Sequence, residues 1–99
     1  MVQTRIVHLI RNSLDCASWR ERKPIAADLR PIYAAGADEA AREALEEFAE
    51  GRPWSNKYPT IVQSWRRGWE NVIPFFAFPP EVRREIYTRD VIESLHMQL

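Results

Sequence analysis

The stretch YPTIVQSWRRGWENVI, residues 58–73, decides the fold class of this 99-residue chain. Its apolar residues are separated by three, one, three, four, three and one positions: Tyr58, Ile61, Val62, Trp65, Trp69, Val72 and Ile73. In an α-helix this spacing places all of them on one face. The stretch therefore predicts an amphipathic helix whose apolar face forms the core of a mainly α-helical domain.

Helical periodicity continues on both sides of this stretch. The pattern predicts helices over about residues 6–15, 20–34, 38–50 and 80–87, and a last one from residue 88 onwards. Gly36 is expected to follow the end of the second helix, and Asp38 begins the third with acidic side chains at its positive end. The β-branched pair Val2 and Thr4 is typical of a strand. The fold class is thus mainly α, with about five to six helices and room for one residual short strand at the N-terminus.

Composition and charge narrow the class of protein. With 45% hydrophobic and 28% charged residues the chain is a globular protein rather than a disordered one, and 99 residues make a single small domain. The net charge is zero, yet residues 31–51 hold six acidic and one basic side chain, which leaves two mildly basic flanks. A single cysteine, Cys16, excludes an intrachain disulfide. No signal peptide and no apolar run of about 18 residues is present, so we expect a cytoplasmic protein with no membrane contact.

Three segments carry the residue types that chemistry needs: VQTRIVHLIRN (2–12), SWRRGWEN (64–71) with IPFF (73–76) after it, and TRDVIESLH (88–96). In this order they resemble three stretches of mutator-type insertion-sequence transposases: the one that follows the second catalytic aspartate, the tryptophan-rich helix, and the helix with the catalytic glutamate. The matching residues are His8, Arg11, Asn12, Trp65, Trp69, Thr88, Ile92 and Glu93. Arg5 stands where the family has cysteine, and Asp90 and His96 stand where it has asparagine.

The resemblance implies the helical insertion region of a ribonuclease H-like DDE catalytic domain, in which two aspartates and one glutamate bind two Mg²⁺ ions. Carboxylates suit this metal, and two ions stabilise the attacking and leaving oxygens of phosphoryl transfer. Glu93 would be the catalytic and metal-binding glutamate, and the two aspartates would lie before Met1. The partners implied are DNA, as transposon ends and target, and further transposase subunits in a homo-oligomer.

These expectations make the chain a truncated, partial domain. Residues 2–15 would follow the second aspartate, residues 20–74 would form the helical insertion, and residues 80–99 would be a helix pair carrying Glu93. The parent enzyme would move an insertion element by metal-dependent DNA cleavage and strand transfer, and this chain alone would be inactive.

Several residues have two interpretations. Trp65 and Trp69 are core residues or base-stacking residues, and His8 is a structural histidine rather than a zinc ligand, because no Cys or His partner stands at ligand spacing. Arginine pairs on helices form either a solvated face or contacts to DNA phosphates: Arg66, Arg67, Arg83 and Arg84. The chain as a whole has two alternatives to a transposase piece, namely a non-catalytic helical module for DNA binding or transposase pairing, and a remnant without function.

Overall fold

A computed structural model describes residues 2–51 and 53–94, with the side chains of 5–51, 53–89 and 91. This part of the chain contains seven α-helices, one 3₁₀ helix and no strand, so the mainly α fold class is confirmed. The helices are α1 (Val2–Asp15), α2 (Trp19–Tyr33), α3 (Asp38–Gly51), α4 (Trp54–Lys57), α5 (Pro59–Arg67), α6 (Trp69–Val72), the 3₁₀ helix (Ile73–Ala77) and α7 (Pro80–Ser94).

Helix α1 lies at the centre of the fold. It packs against α2, α5, α6, the 3₁₀ helix and α7, while α3 packs against α2, α4 and α5. The reason is the apolar face of α1, on which Ile6, Leu9, Ile10 and Leu14 are all buried. These side chains join one hydrophobic cluster with residues of α2, α3, α5, α6 and α7. Burial of this face, rather than helix propensity, supplies most of the stability of such short helices.

The stretch 58–73 is buried as its periodicity predicts but is not one helix. Ile61, Val62, Trp65, Trp69 and Val72 are buried, while Tyr58 and Ile73 are partly buried. Helix α5 ends at Arg67, and α6 begins at Trp69; between them lies Gly68, whose N–H donates to the Ser64 carbonyl at 3.0 Å. Helical backbone then continues as the 3₁₀ helix, which begins one residue before Pro74.

Two further sequence predictions of local structure are wrong. The short strand at Val2–Thr4 does not form, because residues 2–4 are the first turn of α1. β-Propensity depends strongly on context, and two β-branched residues without a neighbouring strand do not outweigh an adjoining helix. The two C-terminal helices, over 80–87 and from 88, are one continuous helix, α7, because no glycine or proline follows Pro80 within it. The connection between α3 and α5 contains the short helix α4.

Across the described ranges, every helix is too short or too polar to cross a lipid bilayer.

Candidate functional site

Glu93, the predicted catalytic glutamate, lies in the last turn of α7. The backbone of this turn is described, but the side chains of Asp90 and of residues 92–94 are outside the described set, as is all of His96. Helix α7 packs along α1, which fixes the position of its axis relative to the core. The fold therefore positions the helix that carries Glu93, and the catalytic role of Glu93 stays a prediction.

The matched residues of α1 lie on its exposed face. His8, Arg11 and Asn12 are exposed, together with Arg5 one turn earlier, while the opposite face of the helix is buried. Spacings of three and four residues produce this grouping, since they return to one side of a helix. Packing of the core does not require these side chains. Among the described side chains, no cluster of three or more His, Cys, Asp or Glu that could hold a metal ion is present.

The two matched tryptophans are both buried, and their indole nitrogens differ. The Trp65 side chain is fully buried, and its Nε1 donates to Ser13 Oγ at 2.8 Å. The Ser13 hydroxyl in turn donates to the carbonyl of Leu9 at 2.7 Å. This relay fastens α5 to α1 and completes the hydrogen bonds of both buried side chains. Trp69 Nε1 is buried with no hydrogen-bond partner in the described part of the chain. Both positions are core positions.

The structure separates the four candidate DNA-binding arginines. Arg66 donates through Nη2 to Glu46 Oε1 at 2.6 Å, which ties α5 to the acidic helix α3. Arg67 is exposed and has no ion pair among the described residues. Arg83 is buried, and its Nη1 donates to the carbonyl of Ala35 at 2.8 Å. Their contact with DNA stays a prediction.

Arg83 and Arg84 line a cavity of about 160 Å³ between the end of α2 and the start of α7. Tyr33 and Tyr87 lie in its wall, with ring centroids 4.9 Å apart and an interplanar angle of 51°. The guanidinium of Arg30 lies 5.7 Å from the centroid of the Tyr87 ring. The sequence alone does not show that these residues lie together, because contacts between α2 and α7 join positions about fifty residues apart. The helical spacing of Arg83, Arg84 and Tyr87 was the only available signal.

A second polar cluster forms around Glu21 on α2. Its carboxylate accepts hydrogen bonds from Lys57 and Tyr58, and from the Ser18 hydroxyl at 3.1 Å. The pKa of Glu21 lies below its ordinary value. The largest cause is the hydrogen bond from Lys57, and the next is the hydrogen bond from Tyr58. The same contact raises the pKa of Lys57. The cluster fastens the α4–α5 junction to α2.

Comparison with known proteins adds to this geometry. A family model described as "Transposase, Mutator family" matches residues 1–99. The chain belongs to the mutator family of transposases. The matched range includes the exposed face of α1, both buried tryptophans and the α7 turn with Glu93.

Curated relatives of this mutator-family chain agree with the match. A probable transposase for an ISRM3-like insertion sequence element of Sinorhizobium fredii is 58% identical over 99 residues, all of this chain and 24% of the relative. The transposase for insertion sequence element ISRM3 of Rhizobium meliloti is 56% identical over the same shares. A probable insertion sequence transposase of Corynebacterium diphtheriae is 46% identical over the whole chain and 29% of the relative. No solved structure matches the chain.

The mutator-family chain thus spans about a quarter of the length of these two rhizobial relatives.

Proposed function

We propose that this chain forms the helical insertion region of a ribonuclease H-like transposase catalytic domain and that Glu93 on α7 is one of its catalytic carboxylates. The observation that carries the proposal is the family match over residues 1–99. The motif residues Thr88, Ile92 and Glu93 at the end of α7 support it further. The activity of the parent enzyme is the movement of an insertion element by cleavage and joining of DNA, in the cytoplasm.

The residues present fit part of a magnesium site. When bound, two Mg²⁺ ions supply the positive charge that stabilises the attacking and leaving oxygens of phosphoryl transfer. A carboxylate is the donor that Mg²⁺ prefers, so Glu93 is a suitable ligand. The remaining carboxylates must come from residues outside this sequence. Helix α7 packs along α1, so the site would be carried by a helix rather than by a loop, which favours a fixed ligand position.

On its own, the chain is expected neither to cleave nor to join DNA. One carboxylate does not hold two metal ions in the arrangement that in-line displacement requires. The measurement is nicking of supercoiled plasmid by the pure 99-residue chain in Mg²⁺ or Mn²⁺. Metal-dependent nicking that disappears in Glu93→Gln would show that the chain alone is an enzyme.

A chimera tests the catalytic assignment itself. In the Sinorhizobium fredii relative, the matching quarter is replaced by this chain, and excision of a marked insertion element is counted. We expect Glu93→Gln to lower excision by at least about 100-fold, since even partners of metal ligands contribute 10- to 100-fold. Glu81→Gln, on the first turn of the same helix, is the matched control and should leave excision unchanged. Equal activity of the two variants would refute the role of Glu93.

DNA and other transposase subunits are the partners that the proposal implies. Arg67 and Arg84 are exposed and have no ion pair in the described part of the chain, which favours contact with phosphates. The negative charge of the acidic helix α3 opposes contact with phosphates, and its Glu46 already forms an ion pair with Arg66. We therefore expect weak binding of duplex DNA, with a slope of log K against log salt of about 0.9 for each phosphate neutralised. Charge reversal at Arg66 should change this affinity little.

A further inference from the structure

The cavity between α2 and α7 is lined by two arginines, and its described lining contains no acidic residue. Its floor is the end of α2 and the following turn, residues 33–36, and its wall is formed by Pro80, Arg83, Arg84 and Tyr87, which share one face of α7. The volume, about 160 Å³, is well above the ~10–15 Å³ that one water molecule requires. This is enough room for a tetrahedral oxyanion with ordered water.

Arg83 is a buried cation with no carboxylate partner among the side chains that the structure describes. Its side chain is only 8% exposed, and no carboxylate among the described side chains forms an ion pair with it. One nitrogen, Nη1, donates to the Ala35 carbonyl, while Nε is buried and has no acceptor in the described ranges. Buried charges are normally paired, because desolvation of an unpaired guanidinium is costly. An anion in the cavity would both neutralise this charge and accept a hydrogen bond from Nε.

The surroundings of the cavity add positive charge. Arg84 lines it, exposed and without a described ion pair, and the guanidinium of Arg30, which does not line the cavity, lies over the ring of Tyr87. Pro80 is the first residue of α7, so the cavity lies beside the N-terminal turns of this fifteen-residue helix, where the helix dipole favours negative charge. Glu81, the acidic residue of that turn, is exposed and does not line the cavity.

We propose that this cavity binds a phosphate group, which accepts hydrogen bonds from the guanidinium groups of Arg83 and Arg84. Arginine donors match phosphate oxygens in geometry as well as in charge. The source of the phosphate is the backbone of DNA or a free phosphate compound. Binding of the DNA backbone at this cavity rests on the proposed function, whereas the presence of a phosphate site does not.

The test follows the Arg83 Nε–H signal in ¹H–¹⁵N spectra of the 99-residue chain, assigned by its loss in Arg83→Lys. Inorganic phosphate is titrated at constant ionic strength with chloride as the balancing anion. We expect the signal to move and to saturate. Arg84→Ala should weaken the apparent affinity by about tenfold, the effect of losing one charge-assisted hydrogen bond. Arg84 is exposed, so this variant does not depend on repacking of the core.

Arg89→Ala is the matched control on the same helix, because Arg89 is exposed and paired with Glu85 at 3.7 Å. It should leave the phosphate titration unchanged. A second arm replaces inorganic phosphate by a twelve-base-pair duplex of arbitrary sequence. Movement of the Arg83 signal at lower phosphate-group concentrations than with free phosphate supports a DNA-backbone site. Movement with free phosphate alone supports a site for a small phosphate compound.

The proposal is overturned if neither probe moves the Arg83 signal, or if Arg89→Ala weakens binding as much as Arg84→Ala does. Duplex DNA that binds without moving the signal would refute this site while leaving the proposed function intact. Failure of the proposed function is detected separately, by the Glu93→Gln chimera.

Discussion

Trp65 and Arg83 are both buried side chains with polar nitrogens, yet only the tryptophan has its hydrogen bonds completed within the described chain. The indole of Trp65 donates to Ser13, which donates to Leu9, and every donor of the relay has an acceptor. Arg83 has one bonded nitrogen, one unsatisfied nitrogen and no described counter-ion. Satisfied buried groups fasten helices together, whereas an unsatisfied buried cation indicates a site that a ligand completes.

Trp65→Ala tests the first half of this comparison and has the largest expected effect. Truncating a buried tryptophan costs about 3–5 kcal/mol, most of the stability available to a chain of 99 residues. We expect loss of cooperative unfolding in thermal and urea denaturation followed by circular dichroism. Trp19→Ala is the control: Trp19 is 61% exposed, and its contact with Arg22 is worth about 1 kcal/mol or less. A Trp65→Ala protein that melts like the parent would contradict the account.

Ser13→Ala examines the relay itself and should have a smaller effect. It leaves the buried Trp65 Nε1 without an acceptor, at a cost of about 1–3 kcal/mol. In a Trp65→Phe background that donor is absent, so the same serine substitution should cost less. A double-mutant cycle in urea measures the difference. Equal costs in the two backgrounds would show that the hydrogen bond contributes nothing to stability.

The Glu21 cluster sharpens the comparison by adding a polar group near the surface. Its pKa is lowered in the folded protein, so its stabilising effect is present above the unfolded value of about 4.5 and is lost as pH falls through the folded pKa. Glu21→Gln should therefore lower the melting temperature modestly at pH 7, and this difference should shrink as the pH falls from about 4.5 through the folded pKa of Glu21. Glu43→Gln, on an exposed part of α3, is the control for loss of a surface carboxylate and should leave the melting temperature at pH 7 close to that of the parent. A Glu21→Gln deficit that persists at low pH would refute this role.

Hydrophobic periodicity predicted the bounds of the helices well where residues that end or begin helices flank them. Helices α2 and α3 begin and end within about one residue of the predicted positions, because Gly36 and Asp38 separate them. The strand at residues 2–4 was predicted from two side chains, and tertiary context overrode that weak local preference. The helix break predicted at residue 88 does not occur, because no glycine or proline stands there to end the helix.

The candidate site was only partly predictable. The sequence identified the arginine pairs but not their surroundings, since Arg66 meets a glutamate on α3 and Arg83 meets a carbonyl after α2. Such contacts depend on how distant helices pack, which the period of one helix does not determine. Trp65 was predicted as a core residue because its neighbours at helical spacing are apolar, and its burial confirms this.

Melting of Arg83→Met with and without phosphate tests the central distinction most directly. Methionine keeps much of the apolar bulk of the side chain and removes a buried charge that has no described counter-ion, and the desolvation of such a charge opposes folding. We predict that, without phosphate, Arg83→Met melts at or above the temperature of the parent, and that phosphate at constant ionic strength raises the melting temperature of the parent but not of the variant. A variant that is strongly destabilised without phosphate, or that phosphate stabilises as much as it does the parent, would contradict the account by making Arg83 a structural residue like Trp65.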